Sequence, residues 1–209
     1  MRRSFFSLLA LEWLLFLFVS GCASSPTSRF YQLSSLKMSS LNSGAAGAGE
    51  KLSGIKTKIF NIKVGPVQIP DYLDRPQIVT ASGGNELKLA EFDRWAGSLE
   101  QDVTRVMSED LAVLLPADRF RVAQWSSWSA AASQYQVAVN IIRFEGAPGR
   151  SVLLKAQWTI FNREHRLEVH EESVITEEVH GATYGAFVMA MSNALAGLSR
   201  AIAGSIMSL

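Results

Sequence analysis

Residues 85–116 read NELKLAEFDRWAGSLEQDVTRVMSEDLAVLLP. The first part alternates apolar and polar residues, and the second changes period. Trp95, Leu99, Val103, Val106, Met107, Leu111 and Leu114 recur at intervals of three and four, with Asp110 the one polar lapse. Glu100, Asp102, Arg105 and Glu109 fall mostly on the other side. This stripe predicts an amphipathic helix over about 92–115, with Asp93 as its N-cap and Pro116 ending it. A helix with one apolar face has to lie on something, and the flanking sequence supplies strands.

Upstream, QIVTASGGNELKLAE (77–91) reads as two alternating arms joined by Ser82-Gly83-Gly84-Asn85, residues that tolerate positive φ. TKIFNIKVGPVQIP (57–70) predicts a strand to about Val64, then a bend at Gly65-Pro66. RFYQLSSL (29–36) alternates as a short strand, and residues 37–54, rich in Gly, Ser and Ala, read as a flexible loop. Downstream, Phe120–Trp125, Tyr135–Phe144, Val152–Phe161 and Leu167–Val179 predict four strands, the last rich in glutamate and suited to a sheet edge. From about Thr183 a second helix carries Phe187, Met191, Leu195, Leu198, Ile202 and Ile206 on one face, beside a stripe of small residues. Asn193, Ser199 and Arg200 favour packing on a sheet over crossing a membrane. The predicted class is α+β: a mixed sheet with two amphipathic helices on one face and a protruding β-hairpin.

The N-terminus carries a different signal. Arg2 and Arg3 precede an apolar run from Phe5 to Val19, which ends in Ser20-Gly21-Cys22. The run is about 15 residues long and contains Glu12, short of the ~20 apolar residues that span a bilayer, so 1–21 reads as a cleavable signal peptide. Cys22 is the only cysteine among 209 residues, which excludes an intrachain disulfide and a cysteine-based zinc site. Val19-Ser20-Gly21-Cys22 resembles a lipobox. Cys22 is therefore the candidate lipid-attachment residue, carrying diacylglycerol on sulfur and an acyl chain on its amine. Two or three such chains hold a protein firmly to a bilayer. Residues 22–28 are the tether and 29–209 a single domain. Ala23, where an aspartate tends to retain lipoproteins in the inner membrane, leans toward the outer membrane and its periplasmic face.

Composition and motifs exclude more than they identify. The net charge of +1 gives no ground for nucleic-acid binding. No nucleophile-elbow, metalloprotease, phosphate-loop or dinucleotide motif is present, so no catalytic, cofactor or metal residue is assigned. His165 and His170 stand five apart on or beside a strand, an odd offset that disfavours chelation. The acid pairs Asp71/Asp74, Glu171/Glu172 and Glu177/Glu178 are read as solvated, and Trp125 and Trp128 as possible contact residues. One segment is more than packing demands: Pro70, Asp71, Tyr72, Leu73, Asp74, Arg75 and Pro76 set aromatic, apolar and charged groups in a proline-bracketed loop, a pattern suited to a partner or subunit contact. A loop that folds its own Tyr72 and Leu73 onto the body fits those residues equally well.

FYQLSSL (30–36), VGPVQIPDYLDRPQIVT (64–80) and the 85–116 stretch together resemble the PqiC/YmbA-type ABC-transport auxiliary lipoproteins. The resemblance extends over nearly the whole chain after Cys22. Phe30-Tyr31 stands where that family usually has paired tyrosines. It implies a non-catalytic outer-membrane lipoprotein, a homo-oligomer, that docks a periplasm-spanning MCE-domain protein and takes part in lipid transport between membranes. By the same analogy the Pro70–Pro76 loop and the 77–91 hairpin are the expected contacts. The alternatives are a monomeric lipid-binding module holding an acyl chain in its own cavity and, behind it, a periplasmic hydrolase.

Overall fold

The computed structural model describes residues 26–36, 59–83, 85–125 and 133–209. The segment 1–21 read as a signal peptide, Cys22, the segment 37–54 read as a loop, and Trp128 lie outside the described residues. The element order is β1 (Arg29–Tyr31), β2 (Phe60–Gln68), β3 (Gln77–Gly83), β4 (Glu86–Trp95), α1 (Leu99–Leu114), β5 (Phe120–Gln124), β6 (Tyr135–Gly146), β7 (Ser151–Asn162), β8 (Leu167–Glu178) and α2 (Tyr184–Met207). The α+β class holds, with the strands divided between two mixed sheets. The larger has the order β5-β2-β6-β7-β8 and the smaller the order β1-β4-β3.

The larger sheet follows from alternation. On β7, Val152, Leu154, Ala156, Trp158 and Ile160 are all buried, and Val137, Val139 and Ile141 of β6 lie beside them in antiparallel register. Helix α1 packs on β2 and β5, α2 packs on β7 and β8, and the helices touch each other. Both therefore cover one face of this sheet, as the apolar stripes predict. Trp158, Phe144, Phe187, Met107 and Leu195 fill the space between at 1% exposure or less.

Three local expectations are corrected. The helix does not begin at 92. Residues 92–95 extend β4, where Asp93 pairs in register with Arg29 and Trp95 with Tyr31. The cap is Ser98, whose Oγ accepts the Gln101 N–H at 3.4 Å, so Asp93 caps nothing. The chain also does not leave the sheet at Gly65-Pro66. A one-residue bulge there shifts register between Val64 and Val67, and pairing with β6 resumes at Val67↔Val139. Gly65 sits at φ 126°, and a Cβ on it would meet the Trp125 Cβ at 2.6 Å, so only glycine fits the bulge. The hairpin stands as expected, with residues 85–89 near its tip exposed, and β1 joins β4 only beyond it, at Asp93–Trp95.

Helix α2 is long and apolar enough to cross a membrane, yet 67% of its apolar window is buried within the fold. Gly197 lets it settle on β8, where a Cβ would lie 3.3 Å from the Ile175 side chain.

Candidate interaction surface

The Pro70–Pro76 loop is a tight double turn. The Leu73 N–H donates to the Pro70 carbonyl at 2.9 Å, Asp74 to Asp71 at 3.2 Å and Arg75 to Leu73 at 2.8 Å. Pro76 accepts the Trp95 N–H at 2.7 Å, which ties the loop exit to the end of β4. Burial divides its side chains. Leu73 is 2% exposed and belongs to the core, and Pro70 and Tyr72 are half-buried. Asp71, Asp74, Arg75 and Pro76 are exposed. The Tyr72 hydroxyl donates to Glu145 Oε2 at 3.4 Å, and burial, with the Glu145 carboxylate second, raises the phenol above its usual pKa. Arg143 donates through Nε to the other Glu145 oxygen at 2.7 Å. The loop thus lays Leu73 and Tyr72 on the body and turns a charged outer side to solvent.

Beside it, Asp74, Arg75 and Pro76 form one wall of an open cleft whose other wall is the 95–99 link into α1. A second cleft, on the far side of that link, is bounded by Tyr31, Gln32, Asp102 and Arg105. Trp95, Ala96, Gly97, Ser98 and Leu99 are common to both.

The second cleft leads to a feature that periodicity did not reveal. Residues 29–36 run as a strap along α1 and α2, held by side chains of the sheet and both helices. Arg29 pairs with Asp93 at 2.9 Å, and the Tyr31 hydroxyl donates to Asp93 Oδ1 at 2.7 Å. The Leu33 N–H donates to Asp102 Oδ2 at 2.7 Å, while Arg105 Nη2 donates to the Leu33 carbonyl at 2.7 Å. The Ser34 N–H donates to Ser192 Oγ at 3.0 Å. The Ser35 hydroxyl donates to Glu109 at 2.6 Å, and the Leu36 N–H donates to Asp110 Oδ1 at 2.7 Å. The side chains that look like a solvated helix face are the fasteners of the N-terminal segment. The one legible signal is Asp110, a carboxylate in an otherwise apolar stripe.

Other sequence candidates are dispersed. Trp125 is 49% exposed, with Lys63 Nζ 5.7 Å from its ring centroid. His165 lies in the β7–β8 turn at φ 55°, His170 Nδ1 is 2.9 Å from Thr159 Oγ1, and His180 is exposed after β8. Among the described residues no group of three His, Cys, Asp or Glu is placed to hold a metal ion.

An α+β body with two helices on one sheet face and a strapped N-terminus defines the class. Residues 41–203 match the family of ABC-type transport auxiliary lipoprotein components, and the chain belongs to that family. Among solved structures, one described as an uncharacterized protein superposes at TM-score 0.67 and 20% identity, over 87% of this chain and 99% of that one. Protein XCC0632 from Xanthomonas campestris, of family DUF330, superposes at 0.62 and 12% identity, over 86% and 94%. Both show a shared fold. A dodecameric PelC from Paraburkholderia phytofirmans gives a TM-score of 0.37 at 10% identity, over 69% and 88%. No curated protein sequence matches this chain.

Proposed function

We propose that this chain is a non-catalytic lipoprotein, anchored through Cys22 on the periplasmic face of the outer membrane, that docks a periplasm-spanning MCE-domain partner of an ABC-type lipid-transport system. The family match over residues 41–203 carries this reading. The signal-like N-terminus, the lipobox around Cys22 and Ala23 support the anchor and its membrane. Diacylglycerol and an acyl chain at Cys22 are its only attached groups, and the working form is a homo-oligomer.

The Pro70–Pro76 loop is the proposed contact, through the outer side carried by Asp71, Asp74, Arg75 and Pro76, with Tyr72 beside them. Its backbone is already fixed by three internal hydrogen bonds and the bond to Trp95, so little ordering is lost on binding. Leu73 serves as an internal support and does not meet the partner in this scheme.

The test is co-purification of the MCE-domain protein with Arg75→Glu and Asp71→Lys/Asp74→Lys variants of the lipidated chain. Both variants are expected to fold with unchanged thermal midpoints and to lose most of the partner. Full retention of the partner by both variants overturns the contact assignment. An unmodified Cys22 sulfur in the exported protein overturns the anchor.

A further inference from the structure

Phe30 is 66% exposed, more than any other large apolar side chain among the described residues. It lies on β1, an edge strand of the smaller sheet, in register with Arg94. Its neighbour Arg29 keeps 66% of its side chain exposed while ion-paired to Asp93. The position is not loose. Tyr31, Leu33, Ser34, Ser35 and Leu36 are each fixed by the side-chain bonds of the strap. Folding therefore holds an aromatic ring out in solvent on the strand face it shares with Arg94, while Arg29 and Tyr31 turn to the opposite face and Asp93.

Chain length says what meets it. Six residues separate Cys22 from Arg29. Seven Cα steps reach at most about 25 Å when fully extended. A domain of this size is roughly 40 Å across. A chain anchored through Cys22 cannot turn its β1 side away from the bilayer, because the tether is shorter than the body. An exposed aromatic ring with an arginine in register beside it has the chemistry of the headgroup boundary, where rings settle and cationic side chains meet phosphates.

We propose that Phe30, with Arg94 beside it in register, is the point at which the folded domain touches the phospholipid surface, so that the anchor and this contact together set the orientation of the body. The inference rests on the anchoring reading above and adds the face turned to the membrane.

The single cysteine makes a clean test possible, because a thioether at Cys22 leaves an introduced cysteine as the only free thiol. The full chain, exported and lipidated, is prepared as Phe30→Cys and as Leu167→Cys, labelled with an environment-sensitive fluorophore. It is then reconstituted in phosphatidylethanolamine–phosphatidylglycerol vesicles containing shallow spin-labelled lipid. Leu167 is 60% exposed and begins β8, eleven residues before Glu178, the strand end nearer Tyr184 and its ring partner Tyr31. The expected result is a blue shift and at least threefold stronger quenching at position 30 than at position 167. Equal quenching at the two positions, or none at position 30 in protein that floats with the vesicles, overturns the proposal and leaves the anchor standing. Lipid-free protein that fails to float, with two labels per chain, overturns the anchor and this proposal with it.

Discussion

Asp110 Oδ1 accepts the Leu36 N–H at 2.7 Å, although the carboxyl is fully buried and the chain it holds lies 74 residues away in sequence. Its second oxygen has no hydrogen-bond partner among the described residues, and neither has the buried Ser199 hydroxyl, which lies beside it without reaching bonding geometry. Desolvation raises the Asp110 pKa, while Leu36, Ser199 and Arg200 oppose the shift and Glu109 adds to it. The sign is definite. Folded protein binds this proton more tightly than unfolded chain, in which aspartate titrates near ~3.9. Stability therefore falls as pH rises from that value through the raised folded one, and the loss persists above it. Asp110→Asn keeps the acceptor for Leu36 and offers Ser199 a donor. Its urea midpoint relative to wild type is expected to improve between pH 4.5 and pH 8, and a constant gap would contradict the assignment. Asp110→Ala, which orphans the Leu36 N–H, is expected to cost about 1–3 kcal/mol at either pH.

The strap makes a separate prediction through Asp93. This carboxylate is 5% exposed and receives both Arg29 and the Tyr31 hydroxyl. In Asp93→Ala the β1 strand loses its side-chain clamp while the cores of both sheets are untouched. Limited proteolysis should then cut within residues 29–36 several times faster than in wild type, with the fragment from 59 onward resisting as before. Equal cutting rates would mean that the backbone pairing of β1 with β4 suffices without the ion pair.

How far the sequence reveals this architecture depends on how local the determining contacts are. Strands β6, β7 and β8 alternate with period two against neighbours joined by short turns, and their predicted limits fall within a few residues of those observed. Thr183 caps α2 where the apolar stripe begins, its Oγ accepting the Ala186 N–H at 3.2 Å. The start of α1 is misleading because Trp95 and Leu99 fit a helical spacing of four while Asp93 and Trp95 fit a strand spacing of two. Only pairing with Arg29–Tyr31, more than sixty residues away, decides between them. The same distance hides the split into two sheets. The strap is hidden for another reason: Asp102, Arg105 and Glu109 carry the charge expected of a wet face, and nothing local shows that a backbone lies across them. In the Pro70–Pro76 loop, composition cannot tell which side chains turn inward, and Leu73 turns out to be core.

Gly146 offers a sharper test of the larger sheet. It ends β6 in register with Val152, and a Cβ there would lie 2.1 Å from the Ser151 carbonyl oxygen. Backbone is the obstacle, so no rotamer change relieves it. Gly146→Ala is expected to lose about 1–3 kcal/mol, as overpacked sites do. For a domain of this size that is a fall of roughly 3–10 °C in the melting midpoint, read by circular dichroism. Gly97→Ala, where nothing lies within 4 Å of the added Cβ, is the matched control and should move the midpoint little.

The last prediction concerns which part of the chain holds the membrane. Helix α2 passes the length and apolarity test for a membrane span, but Phe187, Met191, Ala194, Leu195, Leu198 and Ile202 are each 2% exposed or less against the sheet and α1. Crossing a bilayer would strip those contacts from β7, β8 and α1 and place Arg200 in hydrocarbon, with no gain in apolar burial to offset the loss. An anchor supplied only by acyl chains on Cys22 makes the opposite demand, since removing the sulfur removes the anchor. Cys22→Ser, exported behind a conventional signal peptide so that cleavage still occurs, should therefore leave the membrane pellet under alkaline carbonate and appear as a folded, water-soluble protein with an unchanged melting midpoint. Wild type in the same extraction should stay with the membrane and incorporate palmitate. A Cys22→Ser chain that resists carbonate would transfer the anchoring role to α2 and require the sheet to be rebuilt without it.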